Sequence, residues 1–302
     1  GVDLSGYDTK TYVFPYNSSC GWSGLGYMGG APARSWINGT SVSTITHELG
    51  HNIGTHHASS YSCTDNGARV SISNNCTASE YGDPYDVMGA SGSRHMNVYH
   101  KGENGTYSPN WLSTSNTLTI DRKMSPDANY LIAPLEQGTS SVQSLRIPRT
   151  VSSTGSVSDY YYLEFRQPFG FDNFASTSAA VNGVMIRIAP NYNVNTQSKL
   201  IDATPETTSF TDAPLPVGRT FNDPYNAISV STLSVGPSGA NVRVSFGTKP
   251  CTNTTPSTSI TPTTQSGAAG QTISYSIVIK NNDPIDCDPS DFSITPTLPS
   301  GF

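Results

Sequence analysis

The stretch HELGHNIGTHH, which begins at His47, brings together residue types that can bind a metal ion and transfer a proton. His47 and His51 are four residues apart, so on a helix their imidazoles lie one turn apart and can bind a single ion. Glu48 is rotated away from this pair and can reach a water molecule without ligating the metal. The spacing therefore predicts a metal centre with a general base beside it.

A helix followed by a sharp turn must position these groups. Apolar residues recur at intervals of three and four, which predicts a buried stripe opposite the histidines: Val42, Ile45, Leu49 and Ile53. Thr40 or Ser41 can cap the N-terminus of this helix. Gly54 can adopt a left-handed conformation and end the helix, after which the chain turns back. Either His56 or His57 can then supply a third imidazole to the same ion.

Three neutral imidazoles suit zinc and leave the fourth position of its tetrahedral shell for water. Zinc lowers the pKa of that water toward about 7, and Glu48 can accept its proton and pass it to a leaving amine. We therefore expect hydrolysis of an amide bond. A purely structural zinc site would need a fourth protein ligand and no base, and no such ligand is evident in the sequence.

A second segment, EYGDPYDVMGASG, places Met88 between a turn at Pro84 and Gly89, downstream of His57. Met88 offers a soft, polarizable side chain that can pack against the imidazoles without binding the metal. Three carboxylates precede this methionine: Glu80, Asp83 and Asp86. Oxygen-rich loops can hold Ca²⁺, which makes calcium a candidate second ion. The alternative is that these carboxylates cap turns or pair with arginine, and Asp86 is expected to fix the turn by hydrogen bonds.

The five cysteines contain no C-x-x-C pair, which argues against a thiolate zinc site. Cys63 and Cys76 bracket a short polar loop, and Cys251 and Cys287 bracket a strand-like segment. We predict a disulfide within each pair, with Cys20 left over. Disulfides persist in oxidising compartments, so we expect a secreted, extracellular protein.

The composition of the chain limits the classes of partner that we expect it to bind. Charged residues make up 13% of the sequence, which is roughly half the usual share. The 16 Lys and Arg residues form no basic patch and the net charge is -6, so nucleic acid is not an expected partner. No apolar run approaches the roughly 20 residues that a membrane span needs. We expect a monomer that acts on a protein or glycoprotein substrate.

Sequence patterns divide the chain into three parts. Residues 1–125 contain the metal motif and the one convincing helix. Residues 126–249 contain short alternating runs such as GVMIRIAP and ANVRVSF, which are typical of an antiparallel β-sandwich. A Thr-, Ser- and Pro-rich stretch leads into residues 250–302, where QTISYSIVIK predicts a strand of a partial immunoglobulin-like module. The predicted fold class is an α+β catalytic domain followed by antiparallel β-sandwich domains.

Four motifs together resemble the gametolysin family of metzincin zinc endopeptidases, including its bacterial secreted members: CGWSGLGYMGGAPARSWING, HELGHNIGTHHASSYSC, SEYGDPYDVMGAS and HMNVYHK. The resemblance covers about residues 7–125. The metzincin signature H-E-x-x-H-x-x-G-x-x-H favours His57 over His56 as the third ligand. The resemblance implies a metzincin catalytic domain with these roles: zinc ligands His47, His51 and His57, general base Glu48, and Met88 in the Met-turn. The tail around QTISYSIVIKNNDPIDC is similar to immunoglobulin-like add-on modules of secreted bacterial hydrolases.

The resemblance also directs attention to the substrate. In zincins a substrate pairs antiparallel with an edge strand, for which GLGYMGGAPA is the candidate here. The candidate substrate contacts are Gly24, Gly26, Tyr27 and Tyr85, although an ordinary Gly-rich loop is the alternative for the first segment. Some metzincins place a tyrosine two residues after the Met-turn methionine, where this chain has Ala90. Tyr85, Tyr99 or His95 could stabilise the oxyanion instead.

The sequence thus predicts a secreted zinc-dependent endopeptidase that hydrolyses peptide bonds of extracellular proteins or glycoproteins, with a zinc-activated water and Glu48 as general base. Two alternatives stay open. One is an adhesion or substrate-binding protein with a vestigial or structural zinc site. The other is a zinc amidase that acts on cell-wall or glycan amides.

Overall fold

The computed structural model describes residues 3–89, 92–112, 114–122, 127–152, 155–247, 254–283, 291–295 and 297. This part of the chain is mostly β-sheet with few helices. It forms two compact units, one of Gly1–Thr150 with Val157–Thr248 and one of Val151–Ser156 with Lys249–Phe302. Across the ranges described, no helix has the length and apolar character that crossing a bilayer requires.

The first unit begins with a three-stranded sheet of β1 (Thr9–Phe14), β2 (Gly24–Gly26) and β3 (Ala33–Asn38). The strand order is β1-β3-β2, with β1 parallel and β2 antiparallel to β3. A 3₁₀ helix, Ser18–Cys20, precedes β2. The glycine-rich strand β2 therefore lies at an edge of this sheet, as the sequence predicted.

Helix α1 (Val42–Asn52) follows this sheet and packs against β2 and β3. Ser41 is the N-cap, and its side chain accepts a hydrogen bond from the backbone N–H of Thr44. The predicted apolar stripe is wrong as a buried face, because Val42 is 56% exposed and Leu49 is 37% exposed. The buried residues are instead Glu48, Gly50, His51 and Asn52. The helix thus turns its functional side chains toward the sheet, where glycines leave room for them.

After α1 the described strands and helices follow in this order: β4 (Ala58–Asp65), β5 (Ala68–Val70), β6 (Cys76–Ser79), α2 (Val98–Gly102), the 3₁₀ helix Thr114–Asn116, β7 (Thr117–Thr119), β8 (Ala128–Ile132), β9 (Ser144–Val151), β10 (Val157–Glu164), α3 (Ala179–Asn182), β11 (Gly183–Ala189), β12 (Ser198–Ile201), β13 (Leu215–Pro216), β14 (Thr220–Asp223), β15 (Ile228–Gly236) and β16 (Gly239–Phe246). One large sheet has the order β5-β4-β12-β11-β10-β9-β7, with β6 beside β4 and β13 beside β11. A four-stranded sheet has the order β14-β15-β16-β8. One hydrophobic core contains residues of both sheets, among them Leu163, Ile186, Val230 and Val242.

The large sheet crosses the predicted boundary between residues 125 and 126. Strand β4 pairs in parallel with β12, so that Ala58 lies opposite Ser198. The segments 1–125 and 126–249 therefore do not separate in the structure, because hydrogen bonds between strands join them into one compact unit. Alternation along a strand indicates its exposed face but not its partner, so the sequence did not show this pairing.

The second unit contains β17 (Ser257–Thr261) and β18 (Ser276–Lys280), which pair antiparallel with Ser257 opposite Lys280. The residues of both strands are largely exposed. The predicted Cys251–Cys287 disulfide lies outside the described residues.

Candidate metal centre

Three histidine side chains come together at the end of α1. His47 and His51 lie one turn apart on the helix, and His57 follows a turn in which Gly54 has a φ of 90°. One nitrogen of each ring lies within 4.8 Å of the other two, an arrangement that could hold a metal ion. His56 is not part of this group. The turn after α1 therefore delivers the histidine that the signature spacing favoured.

Each of these three rings is oriented through its Nδ1 atom. In each case Nδ1 lies beside an oxygen that can only accept a hydrogen bond: the Val87 carbonyl for His47 at 2.9 Å, the Thr55 carbonyl for His51 at 2.9 Å, and Glu80 Oε1 for His57 at 2.6 Å. The neutral form of each ring therefore carries its proton on Nδ1, which leaves Nε2 with a free lone pair.

These Nε2 lone pairs test whether a metal fits. The Nε2 atoms of His51 and His57 lie 3.0 Å apart, so two lone pairs face each other at a distance that a cation would stabilise. Burial lowers the pKa of His47, and it lowers the pKa of His51 to about 4, so both rings are neutral at pH 7. Three imidazole nitrogens this close together fit a transition metal such as zinc.

Glu48 lies beside the histidines. Its side chain is buried, and burial raises its pKa to about 7. A carboxyl group with a pKa near the working pH can both accept and return a proton. Glu48 borders a cleft of about 390 Å³ whose lining residues are Trp22, Ser23, Gly24, Ser43, Thr44, His47, Glu48, Tyr81, Val87, Gly89 and Gly92. The potential base and a potential metal ligand therefore face the same open space.

Two glycines of β2 lie directly against Glu48. A Cβ at Gly24 would lie 2.5 Å from Glu48 Oε1 and 2.6 Å from its Cγ, and a Cβ at Gly26 would lie 2.7 Å from the Glu48 carbonyl oxygen. Contacts this short do not occur between folded side chains, so β2 can approach the helix only where it carries no Cβ. The structure thus gives Gly24 and Gly26 a role that the sequence did not predict, which is to make room for the Glu48 side chain.

Met88 packs against helix α1 at Gly50. Its side chain is fully buried, and a Cβ at Gly50 would lie 2.4 Å from its sulfur. The preceding carbonyl, that of Val87, is the one that orients His47. Asp86 accepts hydrogen bonds from the backbone N–H of Met88 and from that of Asn97, both at 2.7 Å. The predicted role of Asp86 in fixing this turn is therefore confirmed.

The calcium prediction finds no support. The three acidic side chains have different partners: Glu80 pairs with His57, Asp83 with Arg187 at 2.8 Å, and Asp86 with His100 at 3.0 Å. Within the described ranges, the three-histidine group is the one cluster of His, Cys, Asp or Glu placed to hold an ion. Glu80 thus orients His57, Asp83 ties the Met88 segment to β11 of the large sheet, and Asp86 ties it to α2.

The other predicted substrate or oxyanion contacts do not border the cleft. Their side chains have partners elsewhere: Tyr27 packs on Trp36 with ring centroids 5.5 Å apart, Tyr85 donates to the Thr211 carbonyl, Tyr99 donates to the Val194 carbonyl, and His95 lies against Phe171. Ala90 lies outside the described residues.

Tyr81 is at the site although the sequence did not single it out. Its ring centroid lies 3.9 Å from that of His57 and 5.9 Å from that of His47. Burial raises the pKa of Tyr81, with further contributions from Glu80 and Glu48, so its hydroxyl keeps its proton at neutral pH. No spacing rule links Tyr81 to the histidine motif. The one feature of the sequence that points to Tyr81 is its position next to Glu80 in the acidic segment.

The predicted Cys63–Cys76 disulfide is present and joins the paired strands β4 and β6, with Cα atoms 4.0 Å apart. Strand β6 ends at Ser79 and leads directly into Glu80 and Tyr81. The cross-link therefore fixes the strand from which both side chains reach the site. Cys20 is a free, half-buried cysteine at the end of the first 3₁₀ helix.

Comparison with known proteins identifies a family. A family model described as gametolysin peptidase M11 matches residues 2–196, which is more than half of the chain. The match continues past residue 125 through β11, in agreement with the shared sheet. Comparisons with curated proteins and with solved structures found no match.

Proposed function

The chain belongs to the gametolysin family of peptidases, M11, and from this premise we propose that it is a zinc-dependent endopeptidase of the metzincin type. Its substrates are peptide bonds of extracellular proteins or glycoproteins. The observation that carries the proposal is the meeting of three imidazoles whose Nδ1 atoms are all occupied by acceptors, beside a buried glutamate in one cleft.

His47, His51 and His57 would hold the zinc ion through Nε2. Bound there, zinc supplies Lewis acidity, which lowers the pKa of a water molecule and polarises the carbonyl of a peptide bond. The described residues add no fourth side chain to this group. An open position suits a catalytic site, whereas a structural site closes its shell with a fourth protein ligand. This difference favours the enzyme over an adhesion protein with a structural zinc site.

Glu48 is the general base and then the general acid. It accepts a proton from the attacking water and returns it to the amine that leaves when the C–N bond breaks. Its pKa of about 7 suits both transfers. The glycines of β2 keep the carboxyl group beside His47 without a competing side chain, so its position is set before substrate binds.

Strand β2 would bind the substrate. It lies at the edge of its sheet and borders the cleft through Gly24. An extended peptide can pair with such an edge by main-chain hydrogen bonds, which would place its carbonyl groups along the cleft. Gly24 and Gly26 remain the proposed substrate contacts, whereas the ring of Tyr27 packs on Trp36 and its backbone N–H donates to the Arg34 carbonyl.

Secretion and the roles of the C-terminal strands complete the proposal. A disulfide between Cys63 and Cys76 suits an oxidising compartment. The core shared by the two larger sheets supports a β-sandwich contribution from residues 126–249. The β17–β18 pair supports an immunoglobulin-like module in residues 250–302. We propose that these parts position a monomeric enzyme on its substrate.

A peptide-library digest tests the proposed activity. The samples are the zinc-loaded wild type, the same protein after chelation and re-addition of zinc, Glu48→Ala, and Glu206→Ala as an exposed-carboxylate control. We expect cleavage by the wild type and by Glu206→Ala, loss on chelation, recovery with zinc, and none by Glu48→Ala. Equal cleavage by Glu48→Ala would refute the assignment of the base. Release of amines from glycan or cell-wall amides, with no peptide cleaved, would support the amidase instead.

A further inference from the structure

Tyr81 has an unusual backbone conformation. Its φ is 61°, in the left-handed region that bulky side chains rarely adopt. Such a conformation is unfavourable for a bulky side chain and persists only where the surroundings impose it. Here both neighbours are fixed. Glu80 is bonded to His57 and to Gln197, and a Cβ at Gly82 would lie 2.2 Å from the Ser60 hydroxyl, so the chain has no room to relax there.

The strained conformation directs the ring of Tyr81 into the site. The ring packs on His57 and borders the cleft together with His47 and Glu48. The side chain is 43% exposed, so a substrate can reach it. No hydrogen-bond partner for its hydroxyl lies within the described part of the chain. The hydroxyls of Tyr85 and Tyr99 differ, since both are bound to backbone carbonyls away from the cleft.

The Tyr81 hydroxyl is a hydrogen-bond donor beside the proposed zinc ligands, where it can stabilise charge that develops during peptide hydrolysis. When water adds to a peptide carbonyl, a C–O bond forms and the carbonyl oxygen takes up negative charge until the C–N bond breaks. A fixed hydrogen-bond donor that faces this oxygen stabilises the transition state more than the ground state. The described residues that border the cleft include no Lys, Arg or Asn. The other side-chain donors there are the Ser23, Ser43 and Thr44 hydroxyls and the Trp22 indole N–H, and Tyr81 differs from them in packing directly on His57.

We propose that Tyr81 is a catalytic residue that donates a hydrogen bond from its hydroxyl to the oxygen of the scissile carbonyl as the tetrahedral intermediate forms. Tyr81 keeps its own proton throughout, and Glu48 carries out the proton transfers. This assignment rests on the proposed peptidase function. It also gives a reason for the backbone strain, because the left-handed conformation at residue 81 is what brings the ring over His57.

The test compares Tyr81→Phe, which keeps the ring on His57 but removes the hydroxyl, with Tyr225→Phe as a control at a similarly exposed tyrosine. For Tyr81→Phe we expect kcat on the best library peptide to fall by about 10²-fold, as for loss of one oxyanion donor. KM and the zinc affinity measured against a chromogenic chelator should stay within about twofold, because the ring and the ligands are unchanged. Calorimetry with a phosphinic peptide, a tetrahedral anion, should show binding weakened by about 10²-fold.

The outcomes separate this proposal from the activity itself. A wild type that cleaves peptides while Tyr81→Phe retains its kcat and its phosphinic-peptide affinity would overturn the role of Tyr81 and leave the peptidase intact. Normal Tyr81→Phe kinetics combined with weak zinc binding by Tyr81→Ala would assign the ring a packing role only, which also overturns the proposal. A wild type without zinc-dependent cleavage would overturn both.

Discussion

Gly24→Ala is the substitution that most sharply tests the position of Glu48. The new Cβ would lie 2.5 Å from Glu48 Oε1, 2.6 Å from its Cγ and 2.7 Å from Thr44 Cγ2. Carbon contacts are comfortable at about 3.5–4 Å, so the Glu48 side chain must move by about 1 Å. A shift of this size at a reacting group costs about 10²-fold in rate, which corresponds to about 2.7 kcal/mol of transition-state stabilisation.

The assay for Gly24→Ala is steady-state cleavage of the best library peptide, with zinc affinity and thermal unfolding measured on the same samples. We expect kcat to fall by about 10²-fold while the zinc affinity stays within about twofold, since the three ligands are not displaced. Gly138→Ala is the matched control, because a Cβ there has no heavy atom within 4 Å. A folded, zinc-bound Gly24→Ala enzyme with the wild-type kcat would refute the reasoning that β2 holds the base in place.

Three further predictions follow from contacts around the site. Glu80→Ala should weaken zinc binding by about 10-fold in a chelator competition, because an outer carboxylate that orients a ligand is worth about 10–100-fold and Glu80 is half exposed; an unchanged affinity would contradict that role. Replacing Cys63 and Cys76 by serine should lower the free energy of unfolding in urea by about 3 kcal/mol for this 13-residue separation, and unchanged stability would refute it. Burial alone would raise the pKa of Asp86, but His100 and backbone N–H groups lower it from 3.8 to about 2. The ionised Asp86 therefore contributes fully to the free energy of unfolding above pH 3.8, and this contribution is lost as the pH falls toward 2. Burial alone would lower the pKa of His100, but Asp86 raises it. The contribution of protonated His100 to the free energy of unfolding is therefore lost as the pH rises through its pKa in the folded protein. In Asp86→Asn we therefore expect this contribution to the fall in unfolding free energy at acid pH to be lost, and in His100→Gln the contribution at alkaline pH. A free energy of unfolding that varies with pH as in the wild type, in either variant, would contradict the pairing.

The three-histidine group could be predicted from the sequence because its determinants are local. The spacing of His47 and His51 depends on one helical turn, and the return of His57 depends on a left-handed glycine two residues after that helix ends. The Cys63–Cys76 bridge likewise closes a short loop between neighbouring strands. Such features need no knowledge of distant contacts, so residue type and spacing were sufficient.

The features that were missed depend on contacts between distant segments. The apolar periodicity of α1 indicated the wrong buried face, because glycines of β2 admit Glu48 to the sheet side and leave Val42 exposed. The pairing of β4 with β12 joins residues about 140 positions apart, and no local pattern encodes it. The role of Tyr81 depends on a backbone conformation that residue type alone disfavours.

A helix and the turn after it gather three imidazoles, which we propose hold one zinc ion and leave one position of its shell open. A crystal structure of the zinc-loaded protein, with anomalous scattering recorded at the zinc edge, tests this directly. We predict a single anomalous peak bonded to the Nε2 atoms of His47, His51 and His57 at about 2.0–2.1 Å, with its fourth position facing the cleft. A peak whose shell is completed by a fourth protein side chain, or one that His57 does not contact, would contradict the account.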